Sequence, residues 1–191
     1  MNKNQRKADH PIDELFIKRW SPRAMSGEPV TTEELFTLFE AARWAPSSYN
    51  NQPWRFVYAL KNTPHWDTLF NLLVDFNKGW CKNAGALVVV ISKKTFDHNN
   101  KPARTHSFDT GAAWMSVSLQ GTLKGLVVHG MEGFDYDKAH KELNIPEDYT
   151  VEAMAAVGKP GRKEDHPADM QKMETPNDRK KITEFIFEGT M

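Results

Sequence analysis

Pro46-Ser47-Ser48-Tyr49-Asn50-Asn51-Gln52-Pro53-Trp54-Arg55-Phe56 is the stretch on which the reading of this chain turns. Hydroxyl and carboxamide side chains crowd a loop between a helical pattern and a strand pattern. They can donate and accept hydrogen bonds without carrying net charge, which suits a neutral heteroaromatic ring. Alone, the loop is equally an ordinary turn dense in Ser and Asn, residues that hydrogen-bond their own backbone.

Working outward, Thr31-Thr32-Glu33-Glu34 reads as a capping box that opens a helix, with Leu35, Leu38, Phe39 and Ala42 on its buried face as far as Trp44. Upstream, Ile12, Leu15, Phe16 and Arg19 carry helical spacing that stops at Ser21-Pro22. Arg19, Ser21 and Arg23 follow at intervals of two, so an extended backbone turns all three to one face, where arginines suit a phosphate. A solvated basic face ending a helix is the alternative.

Downstream, Pro53 to Leu60 alternates as a strand does, and Pro64 to Phe76 has a helical pattern. Ala86 to Ile91 is an unbroken apolar run, the mark of a central strand covered on both faces. The polar stretch 93–107 reads as a loop or mobile lid. Phe108 to Lys124 is a long helix rich in small residues, placed either at the heart of the fold or at a subunit contact. Leu126 to His129 and Glu152 to Val157 are strands, Phe134 to Leu143 a short helix, and Ile182 to Phe187 an edge or swapped strand. The sum is an α+β architecture in one domain, 1–191, with its core at about 12–187.

Lys+Arg and Asp+Glu both number 25, which removes any bulk electrostatic case for nucleic acid or an acidic membrane. No apolar run approaches the ~20 residues of a membrane span. A single cysteine, Cys81, excludes an internal disulfide and a Cys-rich zinc site, so a cytoplasmic, reducing compartment is expected. The seven histidines are scattered without metal-ligand spacing, and no metal is expected. His106 reads as a pocket-lining residue or a solvent-exposed loop histidine.

The chain resembles the nitroreductase family. That family pairs Arg-x-Ser-x-Arg/Lys with Pro-Ser-Ser-x-Asn-x-Gln-Pro-Trp, and both stand here at 19–23 and 46–54. The likeness continues in Asn77, Asn83-Ala84, Asp109-Thr110-Gly111, Gly125-Leu126, Met131-Glu132-Gly133-Phe134, Ala156-Val157-Gly158 and Arg179.

The resemblance implies an FMN-binding fold with a central mixed sheet flanked by helices, in a domain-swapped homodimer with its FMN sites at the subunit interface. Arg19 and Ser21, with Arg179 and a less certain Lys181, would hold the FMN phosphate, and Trp20 falls within the same segment. Arg23 would face the N1–C2 edge and Asn77 the pyrimidine end. Glu132 and Gly133 would pass under the ring, with the Gly133 N–H aimed at N5. Pro46, Ser47, Ser48 and Asn50 would arrive from the other subunit. The implied activity is ping-pong reduction of nitroaromatics, quinones or activated alkenes by NADH or NADPH, without a catalytic side chain.

A flavin carrier or sensor, and a same-fold enzyme that fragments flavin or removes halogens, stay open. Two departures stand out. Trp80 occupies a position that is often basic and is a candidate for substrate stacking. Asn177 replaces one basic residue of the C-terminal phosphate site.

Overall fold

The computed structural model describes residues 6–191. Its helices are α1 (Glu14–Lys18), α2 (Thr32–Arg43), α3 (Trp66–Phe70), α4 (Asp75–Cys81), α5 (His106–Leu123), α6 (Tyr136–Glu142) and α7 (Ala168–Met173). The strands β1 (Trp54–Leu60), β2 (Ala86–Lys93), β3 (Val127–Met131) and β4 (Tyr149–Gly158) form one sheet in the order β1-β2-β4-β3.

Every pairing in that sheet is antiparallel. The mixed sheet expected from the family resemblance is therefore not formed within one chain. The C-terminal segment that was to be a strand makes a 3-10 turn, Ile182–Glu184, and leaves Phe185, Ile186 and Phe187 exposed. Alternation alone cannot make a strand, because a strand needs a partner edge to satisfy its backbone.

Strand β2 is central and buried except at its last residue, Lys93. Alternate side chains divide two cores between them, as the two-residue period of a strand requires. Leu87, Val89 and Ile91 join Met154 and Ala156 of β4 on one face, with Leu69, Leu72, Trp80 and Phe134. Ala86 and Val88 join Ala155 and Val157 on the other, with Leu35, Leu38 and Ala42 of α2 and Ala113 and Val117 of α5. The capping box at Thr31 is present: Glu34 N–H donates to Thr31 Oγ1 at 3.1 Å, and Thr31 N–H to Glu34 Oε2 at 2.8 Å.

The helical pattern over 64–76 breaks in two. Leu72 and Leu73 are both buried, and Leu73 bridges Phe134 in strand fashion. Asp135 N–H donates to Leu72 O and Val74 N–H to Gly133 O, so tertiary pairing overrides the local propensity. Helix α5 lies at the heart of the fold. Gly121 packs so tightly that a Cβ there would sit 2.3 Å from Val128 Cγ2, while Phe108, Met115 and Leu123 stay exposed. The polar 93–107 stretch is a loop tied across itself by Phe96 N–H to Lys101 O and Ala103 N–H to Lys94 O, and to its neighbour by Asn51 Nδ2 to Thr95 O.

Candidate functional site

Residues 19–26 leave α1 in extended conformation, with Arg19 at ψ 122. They are laid against the end of β4: Ser26 N–H donates to Lys159 O at 3.0 Å and Gly161 N–H to Ala24 O at 2.9 Å. Glycine is needed at 161, where a Cβ would fall 2.5 Å from the Met25 carbonyl carbon.

Arg19 and Ser21 line one cavity of about 670 Å³ with Trp114, Gly130, Glu132 and Glu152. Arg19 Nη1 donates to Ser21 Oγ at 3.4 Å. Trp20, counted by the resemblance with this group, instead lines a separate cavity with Pro22, Ala24 and Leu126. Arg23 lines neither. Its Cζ stands 6.0 Å from the Phe76 ring centre, and its Nε is buried without a hydrogen-bond partner among the described residues.

Several cations converge on Arg19. Arg6 Nη1 donates to the Arg19 carbonyl at 3.1 Å, and Arg6 shares a 460 Å³ groove with Arg179 and Lys181. Burial first, and then the field of Arg179, hold the Arg19 guanidinium below the usual arginine range. Arg6 is lowered by burial and by Arg179 and Arg19, with Asp178 opposing. Gathering like charges in a partly desolvated place is unfavourable unless an anion compensates them.

Asn77, at the buried start of α4, donates from Nδ2 to the Gly133 carbonyl at 2.9 Å and accepts at Oδ1 from Trp80 Nε1 at 3.2 Å. A carboxamide offers two donors and two acceptor positions, so one of each is left over. Gly133 touches this amide directly: a Cβ would come 2.7 Å from Asn77 Nδ2. The Gly133 N–H donates to no acceptor among the described residues. Trp80 is wholly buried, with its ring 4.6 Å from that of His129, so it is a core residue and no stacking surface for a substrate.

The 46–50 loop is held at the N-terminus of α5. Ser48 N–H donates to Asp109 Oδ2 at 3.0 Å, and Ser47 Oγ accepts from Gln52 N–H at 3.0 Å. Tyr49, Asn50 and Gln52 all have φ near +50°, a conformation that Tyr and Gln adopt only where surroundings impose it. None of Pro46, Ser47, Ser48 or Asn50 lines the Arg19 cavity of the same chain.

Three residues escaped the reading of the sequence. The β2–β4 register slips between Val90 and Ile91, which leaves Glu152 as the extra residue of a bulge. Its carboxylate lines the Arg19 cavity and accepts from Ser92 and Ser107, with His106 Nδ1 2.7 Å from Ser92 Oγ. A charge inside the apolar 151–157 run was the available signal. His106 is thus half-buried in this network. Arg6 and the buried Glu174 carried no local pattern at all.

The family model for the nitroreductase family matches residues 17–159. The chain belongs to the nitroreductase family. A solved structure described as an oxidoreductase containing FMN is 43% identical, covers 100% of this chain and 98% of its own, and superposes with a TM-score of 0.94. A nitroreductase family protein from Streptococcus pneumoniae, 20% identical over 92% of this chain and 98% of its own, shares the fold with a TM-score of 0.71. The oxygen-insensitive NADPH nitroreductase of Helicobacter acinonychis is 44% identical over 68 residues, 34% of this chain and 30% of that protein.

Proposed function

We propose that this nitroreductase-family chain is an FMN-dependent NAD(P)H oxidoreductase that reduces nitroaromatics, quinones or activated alkenes. The observation that carries the reading is the convergence of Arg6 and Arg179 on Arg19, which with Ser21 lines a cavity that also reaches Glu132. A dianionic phosphate is the ligand that such a charge arrangement accommodates.

The remaining groups fit a flavin as well. Among the described residues Arg23 Nε is a buried donor with no acceptor, and Asn77 keeps one donor and one acceptor unused. A glycine at 133 brings bare backbone, with an uncommitted N–H, to the place where a ring would lie. Bound FMN supplies the two-electron redox chemistry. The protein's own part is to hold the phosphate on Arg19, Ser21 and Arg179, to present the Arg23 cation to the pyrimidine edge, and to offer the Gly133 N–H as a hydrogen-bond donor. An arginine aimed at developing negative charge stabilises the reduced state, as preorganised donors do elsewhere.

The site is completed in a homodimer. Exposed apolar side chains along α5 (Phe108, Met115, Leu123), together with Trp44 and Tyr49, form a surface that a second copy would cover. The tail residues Phe185 to Phe187 and the open edge of β1 support exchange of the C-terminal segment between subunits. Pro46, Ser47, Ser48 and Asn50 then reach the partner's flavin. A lone, buried thiol at Cys81 agrees with a cytoplasmic setting.

The test is purification followed by anaerobic titration. Yellow protein bleached by NADH or NADPH, and re-coloured by a quinone or nitroarene, is expected. Colour that persists under both nicotinamides would leave a carrier. Protein that stays colourless with added FMN refutes the reading, and a monomer that retains one FMN per chain refutes the shared site.

A further inference from the structure

Glu174 lies in the charged C-terminal stretch that follows β4, just beyond α7, yet it is buried. Its Oε1 accepts from the backbone N–H of Arg23 at 2.9 Å and of Ala24 at 2.8 Å, and its Oε2 accepts from Arg23 N–H at 3.0 Å. One carboxylate thus fills an anion-binding concavity made by two successive backbone amides, some 150 residues away in sequence. At the other end of the same peptide unit that carries the Arg23 N–H, His129 Nδ1 lies 2.9 Å from the Pro22 carbonyl. A carbonyl oxygen can only accept, so this nitrogen is the donor; burial, first among its causes, lowers the pKa of His129. The peptide unit before the Arg23 side chain is therefore held at both ends, its carbonyl by His129 and its N–H by Glu174, and the unit after it is held at its N–H by the same carboxylate.

What this clamp presents is a guanidinium whose Nε has no acceptor among the described residues. A flexible surface arginine would turn such a donor to water. Here the backbone beneath it is fixed, and the side chain stays with its Cζ 6.0 Å from the Phe76 ring centre, its charge felt at Cys81 and His129. We propose that Glu174 is a positioning residue that sets the redox potential of the bound flavin by fixing the Arg23 backbone. This rests on the FMN reading above, and in particular on Arg23 facing the edge where charge develops on reduction.

The test compares wild type, Glu174→Gln, Arg23→Gln and the double variant, by FMN titration and by the midpoint potential of the bound flavin. In Glu174→Gln an amide N–H₂ faces a backbone N–H where Oε2 stood, and the segment shifts. Reduced FMN is expected to loosen about tenfold more than oxidised FMN, a fall of about 30 mV for a two-electron couple. Arg23→Gln should lower the potential too, and the double variant should lie no lower than Arg23→Gln alone, because the two act as one unit.

If Glu174→Gln fails to fold, Glu174→Asp keeps the charge but withdraws it by one methylene, and a smaller fall of the same sign is expected. Equal weakening of both oxidation states, or additive shifts in the double variant, would mean a purely structural role and overturn the inference. A wild type that takes up no FMN would instead overturn the cofactor reading itself, and this inference with it.

Discussion

The contact between Asn77 and Gly133 can be tested apart from any cofactor. Asn77→Ala removes the acceptor of the wholly buried Trp80 N–H, and an orphaned buried donor costs about 1–3 kcal/mol. The same change takes one donor from the Gly133 carbonyl, which keeps Val74 N–H at 3.2 Å, so that loss adds about 0.5–1.5 kcal/mol. Together the expected destabilisation is about 2–4 kcal/mol.

Gly133→Ala acts on the same contact from the other side. Gly133 has no positive φ, so its cost is steric: the new Cβ meets Asn77 Nδ2 at 2.7 Å and Val74 Cγ2 at 3.1 Å. Overpacking of this kind costs about 1–3 kcal/mol. In the Asn77→Ala background the nearer obstacle is gone, so the double variant should be more stable than the sum by about 1 kcal/mol or more. Urea unfolding of flavin-free protein at one fixed protein concentration measures all four states. An Asn77→Ala variant within about 0.5 kcal/mol of wild type, or a Gly133→Ala penalty unchanged by the background, would refute the reasoning.

Arg19→Ala should weaken FMN by about tenfold or more while leaving riboflavin nearly unaffected, since a charged hydrogen bond is worth about 1.5–3 kcal/mol; parallel fluorescence titrations decide, and equal losses contradict a phosphate role. Leu123→Glu should drive the protein to monomers by placing a charge on the exposed apolar face of α5, and sedimentation read at the flavin wavelength should show colour leaving with the dimer. His129 titrates below its ordinary value because it is buried, so the unfolded chain binds its proton first as pH falls. That part of the stability is intact above pH about 6.5 and lost progressively below it. His129→Asn should flatten this acid limb in stability measured from pH 7 to 5; an unchanged slope removes His129 as its source.

Much of the fold was legible because it rests on local periodicity. The β2 run, the Thr31 capping box and the alternation of β1 each state their structure within a few residues. The misreadings occur where distant pairing decides. Residues 64–76 carry a helix pattern, but Leu72 and Val74 spend their backbone groups on Asp135 and Gly133. Residues 182–187 alternate like a strand but pair with no edge among the described residues of their own chain, so of the two readings only an edge strand within the chain is set aside. Trp80 sits where a ligand-facing residue was expected, yet its ring is packed under Asn77 and His129.

The candidate site divides along the same line. Arg19, Ser21, Asn77 and Gly133 could be named from the order and spacing of motifs, and the fold brings Arg19 together with Ser21 and Asn77 together with Gly133. Glu152, Arg6 and Glu174 could not, because each acquires its meaning from a partner far away along the chain: a bulge against β2, the Arg19 carbonyl, and the amides of Arg23 and Ala24.

The amino-acid order alone determined the family and most of the helices and strands, because side-chain type and period act over neighbours. Only the tertiary structure decided that the sheet is antiparallel, that Trp20 turns away from Arg19, and that a glutamate near the C-terminus grips the backbone of Arg23. Those outcomes follow from pairing of buried polar groups across long separations, where the requirement that each donor find an acceptor is met in space and leaves no trace in local spacing.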